Sequence, residues 1–126
     1  MSAAVPILEV LEDATPIYLA EFVDESDAPI PASAFTALTL TFYQQYTLAI
    51  INGRDSQNVL NANGVTVNAQ GILTWRLAAA DTAILNTALR KEPHRALFEW
   101  TWTSPTGPEQ NKHEVIILVE NLRKVP

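Results

Sequence analysis

The chain of 126 residues contains no cysteine. Disulfides, thiolate zinc sites and cysteine nucleophiles are excluded, so the fold rests on packing alone. Glycine is scarce, with four residues in all, and none forms a phosphate-cradling Gly-rich loop. Basic residues are few: eight Lys and Arg against 14 Asp and Glu, a formal net charge of −6. Phosphate neutralisation needs more cations than that, so no nucleic-acid partner is expected. No apolar run approaches the roughly 20 residues of a membrane span, and no membrane partner is expected. Met1–Ser2–Ala3–Ala4–Val5–Pro6 has no basic region and no long apolar block, unlike a signal peptide. No Asn-x-Ser/Thr sequon occurs. These features predict a chain made in the cytoplasm and maturing without processing.

Apolar residues make up 48%, enough for a core, and the length suits one domain spanning 1–126. Charged residues are 17%, low for a free monomer, which hints that a partner covers some surface.

The most informative stretch is His94 to Thr103. Phe98, Trp100 and Trp102 alternate onto one face of a strand, and Arg95, Glu99, Thr101 and Thr103 onto the other. Ser104 to Lys112 reads as a turn, and His113 to Glu120 as the returning strand of a hairpin. Earlier, Pro16–Val23 reads as a strand with Pro at its start. Asp24 to Pro31 is an acidic loop that lacks the Gly and distal Glu of a calcium loop, and reads as solvated. Ala34–Tyr43 is the cleanest strand, with Leu38, Leu40 and Phe42 against Thr39 and Thr41. Thr47–Ile51, Asn58–Leu60, Val65–Val67 and Ile72–Leu77 are further short strands, the last placing Leu73, Trp75 and Leu77 on one side. Trp75 and Trp100 are expected in the core. Asp81 suits a helix N-cap, and Ile84, Leu85, Ala88 and Leu89 follow at helical spacing. One short helix is therefore expected over Asp81–Arg90, before the penultimate strand.

Val5, Ile7, Leu8 and Val10 are apolar on both parities, and Pro6 disfavours a central position. Residues 1–12 are read as an N-terminal arm or an edge strand, with those four side chains as candidate partner-binding residues. About seven strands with regular turn signals define an all-β chain, an immunoglobulin-like antiparallel β-sandwich; a small closed barrel is the alternative.

Motifs of catalysis are missing. His94 and His113 each begin one strand of an antiparallel pair, so they are not expected to share a metal. Ser2, Ser26, Ser33, Ser56 and Ser104 all lie in turns or tails, with no nucleophile elbow. No catalytic residue, metal site or cofactor is assigned, and the chain is read as non-enzymatic. Trp100 and Trp102 admit a second reading: two rings on one face suit stacking on sugar, with Trp102 the more exposed.

The pieces Gly64–Val65–Thr66–Val67, Gly71–Ile72–Leu73–Thr74–Trp75–Arg76–Leu77, Asp81–Thr82, the strand HRALFEWTW and the run EVIILVENL span about Gly64 to Leu122. In this order they resemble the immunoglobulin-like domains of tailed-bacteriophage virion proteins, such as upper-baseplate N-terminal domains and accessory or decoration proteins. His94 stands where those domains often carry a tyrosine, and the first 60 residues have no counterpart. The resemblance implies a virion structural protein, assembled in the bacterial host cytoplasm. It implies contacts with capsid, neck or tail subunits, in multiple copies or as a homo-oligomer. The alternative is a carbohydrate-binding module using Trp100 and Trp102.

Overall fold

A computed structural model describes residues 5–22, 30, 32–104 and 107–122. The acidic stretch Asp24–Pro29 falls outside these residues. The described residues form eight strands in two sheets: β1 (Ile7–Leu11), β2 (Ile17–Glu21), β3 (Phe35–Gln44), β4 (Gln57–Asn58), β5 (Val65–Val67), β6 (Ile72–Arg76), β7 (Lys91–Ser104) and β8 (Gly107–Glu120). One sheet has the order β1-β8-β7-β3-β4, the other β2-β6-β5. Every pairing is antiparallel except β1 with β8, which is parallel. This is an all-β sandwich. The second to sixth strands and the last hairpin divide between the sheets in the order of the immunoglobulin-like plan, and β1 is added beyond β8.

Alternation builds the core. Leu38, Leu40 and Phe42 of β3, Leu73 and Trp75 of β6, Ala96, Phe98 and Trp100 of β7, and Val115, Ile117 and Val119 of β8 all turn inward and are buried. Aromatic rings bridge the two sheets. Trp75 meets Phe42 edge-on at 5.2 Å and Phe98 at 5.5 Å between centroids. Phe22, just past β2, stacks on Trp100 at 4.0 Å. Trp75 and Trp100 are core residues, as their strand parity requires.

Three local expectations fail for physical reasons. The segment Ser104–Lys112 is mostly strand: β8 starts at Gly107 and stays in register with β7 from there to Glu120. Thr47–Ile51 is a turn with one isolated bridge, Tyr43 to Ile50. Its strand contacts are replaced by Gln44, whose Oε1 accepts the N–H groups of Tyr46 and Thr47 at 2.6 and 2.8 Å.

The helix over Asp81–Arg90 is replaced by one 3-10 turn, Ala79–Asp81, followed by irregular chain. An α-helix there would open with Leu85 N–H donating to the Asp81 carbonyl. Both groups are engaged elsewhere. Leu85 N–H donates to Glu92 Oε1 at 2.9 Å, and the Asp81 carbonyl oxygen lies 3.2 Å from His94 Nδ1. Asp81 is not an N-cap; its Oδ2 accepts the Ala78 N–H inside the 3-10 turn. Asn121 holds the end of the irregular segment, donating from Nδ2 to the carbonyls of Thr87 and Leu89.

Candidate interaction surface

Two buried polar clusters lie at one end of the sandwich. In the first, Arg54 grips Asp81 through two parallel bonds, Nε to Oδ1 at 2.6 Å and Nη2 to Oδ2 at 3.0 Å. Asn52 adds a third donor to Asp81 Oδ1, and Gln57 and the Asn63 carbonyl take Arg54 Nη1. The guanidinium carbon sits 5.7 Å from the Trp75 ring centroid. In the second, Glu92 accepts from Leu85 N–H, Asn86 N–H, Gln44 Nε2 and His94 Nε2. Burial by itself raises the Glu92 carboxyl, but the bonds from Leu85, His94 and Asn86 outweigh it and hold the group below its ordinary value. Asp81, Glu92 and His94 are fully buried, and Arg54 nearly so. Polar groups so enclosed and so fully bonded fix loop geometry.

The two histidines stay apart. His94 is in register with Ile117, and His113 with Phe98. His113 Nε2 pairs with the Tyr18 hydroxyl at 2.6 Å between the sheets. Burial pushes the His113 ring down and the Tyr18 hydroxyl up. Among the described residues no group of three or more His, Cys, Asp and Glu is placed to hold a metal ion. Nor is any described helix long and apolar enough to cross a membrane.

The sugar-stacking reading does not survive the geometry. Trp100 and Trp102 are 5% and 9% exposed, and Trp102 is not the solvent-facing ring expected from its place near the hairpin end. Both indoles lie on the buried face of β7, so neither ring is presented to solvent as a flat platform. A groove of about 560 Å³ does open on the five-stranded sheet, lined by Ala37 and Thr39 of β3, Glu99, Trp100 and Thr101 of β7, and residues 110–112 of β8. It is open, with a mixed polar and apolar lining, and Lys112 reaches Glu99 across it at 3.6 Å.

The N-terminal candidates divide by parity. β1 is an edge strand of the domain's own sheet, in register Ile7 with Ile116 through Leu11 with Glu120, and not a free arm. Val10 is buried and Leu8 packs against the core, which removes both from the partner-binding set. Val5 and Ile7 remain exposed, and Leu11 joins them. β2 adds Ile17 and Leu19, 46% and 62% exposed.

Prolines open both strands without guarding their outer edges. Pro6 gives its carbonyl to Ile116 N–H and Pro16 gives its carbonyl to Leu77 N–H, so both sit on the inner side of their ladders. Alternation then points the backbone groups of Ile7 and Glu9 in β1, and of Ile17, Leu19 and Glu21 in β2, away from the sandwich. The other two edges are short: β4 has two residues and β5 three. Four exposed aliphatic side chains therefore lie on the two long edges, Ile7 and Leu11 on one and Ile17 and Leu19 on the other. No family model matches the chain, and comparison with curated proteins and with solved structures returns no match.

Proposed function

We propose that this protein is a non-enzymatic structural component of a tailed-bacteriophage virion. It acts through protein–protein contacts with capsid, neck or tail subunits. The observation that carries the reading is the pair of long, aliphatic strand edges, β1 and β2, in a sandwich whose remaining edges are short. Exposed edges with apolar side chains are templates for pairing with another chain. The resemblance of the segment from Gly64 to Leu122 to virion domains supplies the assembly in which such pairing takes place. Low charge content accords with a surface that is covered in use.

The test is mass spectrometry of purified particles from cells carrying the gene in its native neighbourhood. The protein is expected as a stoichiometric particle component, flanked by capsid, portal or tail genes. Its absence from particles, with activity on a soluble substrate instead, overturns the reading.

A further inference from the structure

The two long edges are not equivalent. In β1 the central outward residue is Glu9, which is paired with Lys91 at 3.3 Å, and the Leu11 carbonyl is already taken by Ala14 N–H. A charge at mid-strand is a common guard against edge pairing. Among the described residues β2 has no such guard. Its outward residues run Ile17, Leu19, Glu21, with no Lys, no Pro on the free side and unbroken register to β6. Leu19 is its most exposed aliphatic residue.

The charges flanking β2 describe what fits. On the outer face Ile17 lies beside Arg76, and Glu21 beside Ile72, in the β2–β6 register. Arg76 and Glu21 are both exposed, and neither makes an ion pair among the described residues. A strand added to β2 would bring a residue opposite Ile17 to two strand spacings from Arg76, roughly 9–10 Å between backbones, within reach of two extended side chains. A residue opposite Glu21 is its direct cross-strand neighbour, where opposite charge stabilises.

Resting on the reading that this protein works by contact with neighbours, we propose that β2 is its docking edge. The occupant is an extended segment of another protein, which joins the three-stranded sheet as an antiparallel fourth strand. Its outward side chains are basic opposite Glu21, apolar opposite Leu19 and acidic opposite Ile17. Main-chain bonds to Ile17, Leu19 and Glu21 supply affinity, and the charged ends set direction. A second copy of this chain fits less well, because its own β2 would place Ile17 against Glu21 and leave that carboxylate without a cation.

The test uses the full chain, 15N-labelled, titrated with a capped peptide centred on Lys-Val-Leu-Val-Asp, with Asp-Val-Leu-Val-Asp as control. Amide shifts are expected at residues 17–21 and 72–76, and the control should bind at least about tenfold more weakly. Leu19→Pro is the decisive variant. The Leu19 N–H faces outward, so proline removes one donor from the free edge and none from the β2–β6 ladder. It should keep the native spectrum and lose peptide binding. If it unfolds, Leu19→Lys carries the same expectation.

No binding at roughly millimolar peptide overturns the proposal. So do shifts confined to β1, equal binding by Leu19→Pro, or a peptide-free dimer that the variant dissociates. Absence of the protein from phage particles would sink the virion reading yet leave peptide capture at β2 measurable, so the two failures are told apart.

Discussion

Glu92 shows how one residue organises a whole end of the molecule. Its carboxylate collects four donors from three separate segments, and so determines where the chain between the 3-10 turn and β7 must run. Its lowered titration has a definite consequence for stability. A carboxyl that ionises more readily when folded adds stability above its unfolded value, and that stability is lost as pH falls through the folded value. Chemical denaturation midpoints should therefore decline below the ordinary carboxylate range near pH 4–4.5. Glu92→Gln should flatten that decline, and at neutral pH should cost about 1–3 kcal/mol, because the amide nitrogen cannot accept the donors that one carboxylate oxygen now holds. A Gln variant as stable as the parent at pH 7, with the same acid profile, would show that the cluster does not hold the loop.

Among the elements, β1 is the one whose role the structure changes most. Its parallel ladder to β8 and its buried Val10 make it part of the domain. Deleting residues 5–11 should therefore unfold the protein or lower its melting temperature sharply, as read by circular dichroism. A truncated chain that melts like the parent would restore the free-arm reading. Several elements were legible beforehand. β3 and β7 announce themselves because strict alternation has period two, and their inward residues are large. The segment from Thr82 to Arg90 was not legible. Its helical spacing is real, but the acceptor that diverts Leu85 and Asn86 lies seven and six residues ahead on another element. Parity also missed the division of Val5, Ile7, Leu8 and Val10, because an apolar run with both parities filled does not tell which face is inward. The surface edges were legible only in part: Ile17 and Leu19 alternate correctly, but which side of β2 lacks a neighbour is a matter of topology.

At the scale of the whole molecule, the two sheets are joined by a ladder of rings, Phe42 to Trp75 to Phe98, with Phe22 on Trp100 beside it. No ring in this ladder belongs to one sheet alone in its contacts. Loss of Trp75 should therefore destabilise both sheets together. Trp75→Ala should cost about 3–5 kcal/mol, as large aromatic truncations do. Far-ultraviolet and tryptophan-fluorescence unfolding curves of this variant should remain coincident. Two separated transitions would mean that the sheets are independently stable. Arg54 and Asp81 were beyond any local reading, since 27 positions separate them and each alone looks like a surface charge.

The parallel pairing of β1 with β8 also sets an order of events at birth. Ile7 finds its register partner at Ile116, 109 positions later by subtraction. At typical synthesis speeds the first strand waits roughly 5–20 s for the last to be made. Throughout that interval Ile7, Leu8, Val10 and Leu11 have no ladder to join, and the sandwich can close only when translation has reached β8. The nascent chain thus carries an apolar segment without its ladder partner throughout that interval, and crowding of ribosomes on one message would favour pairing between neighbouring copies over pairing within each.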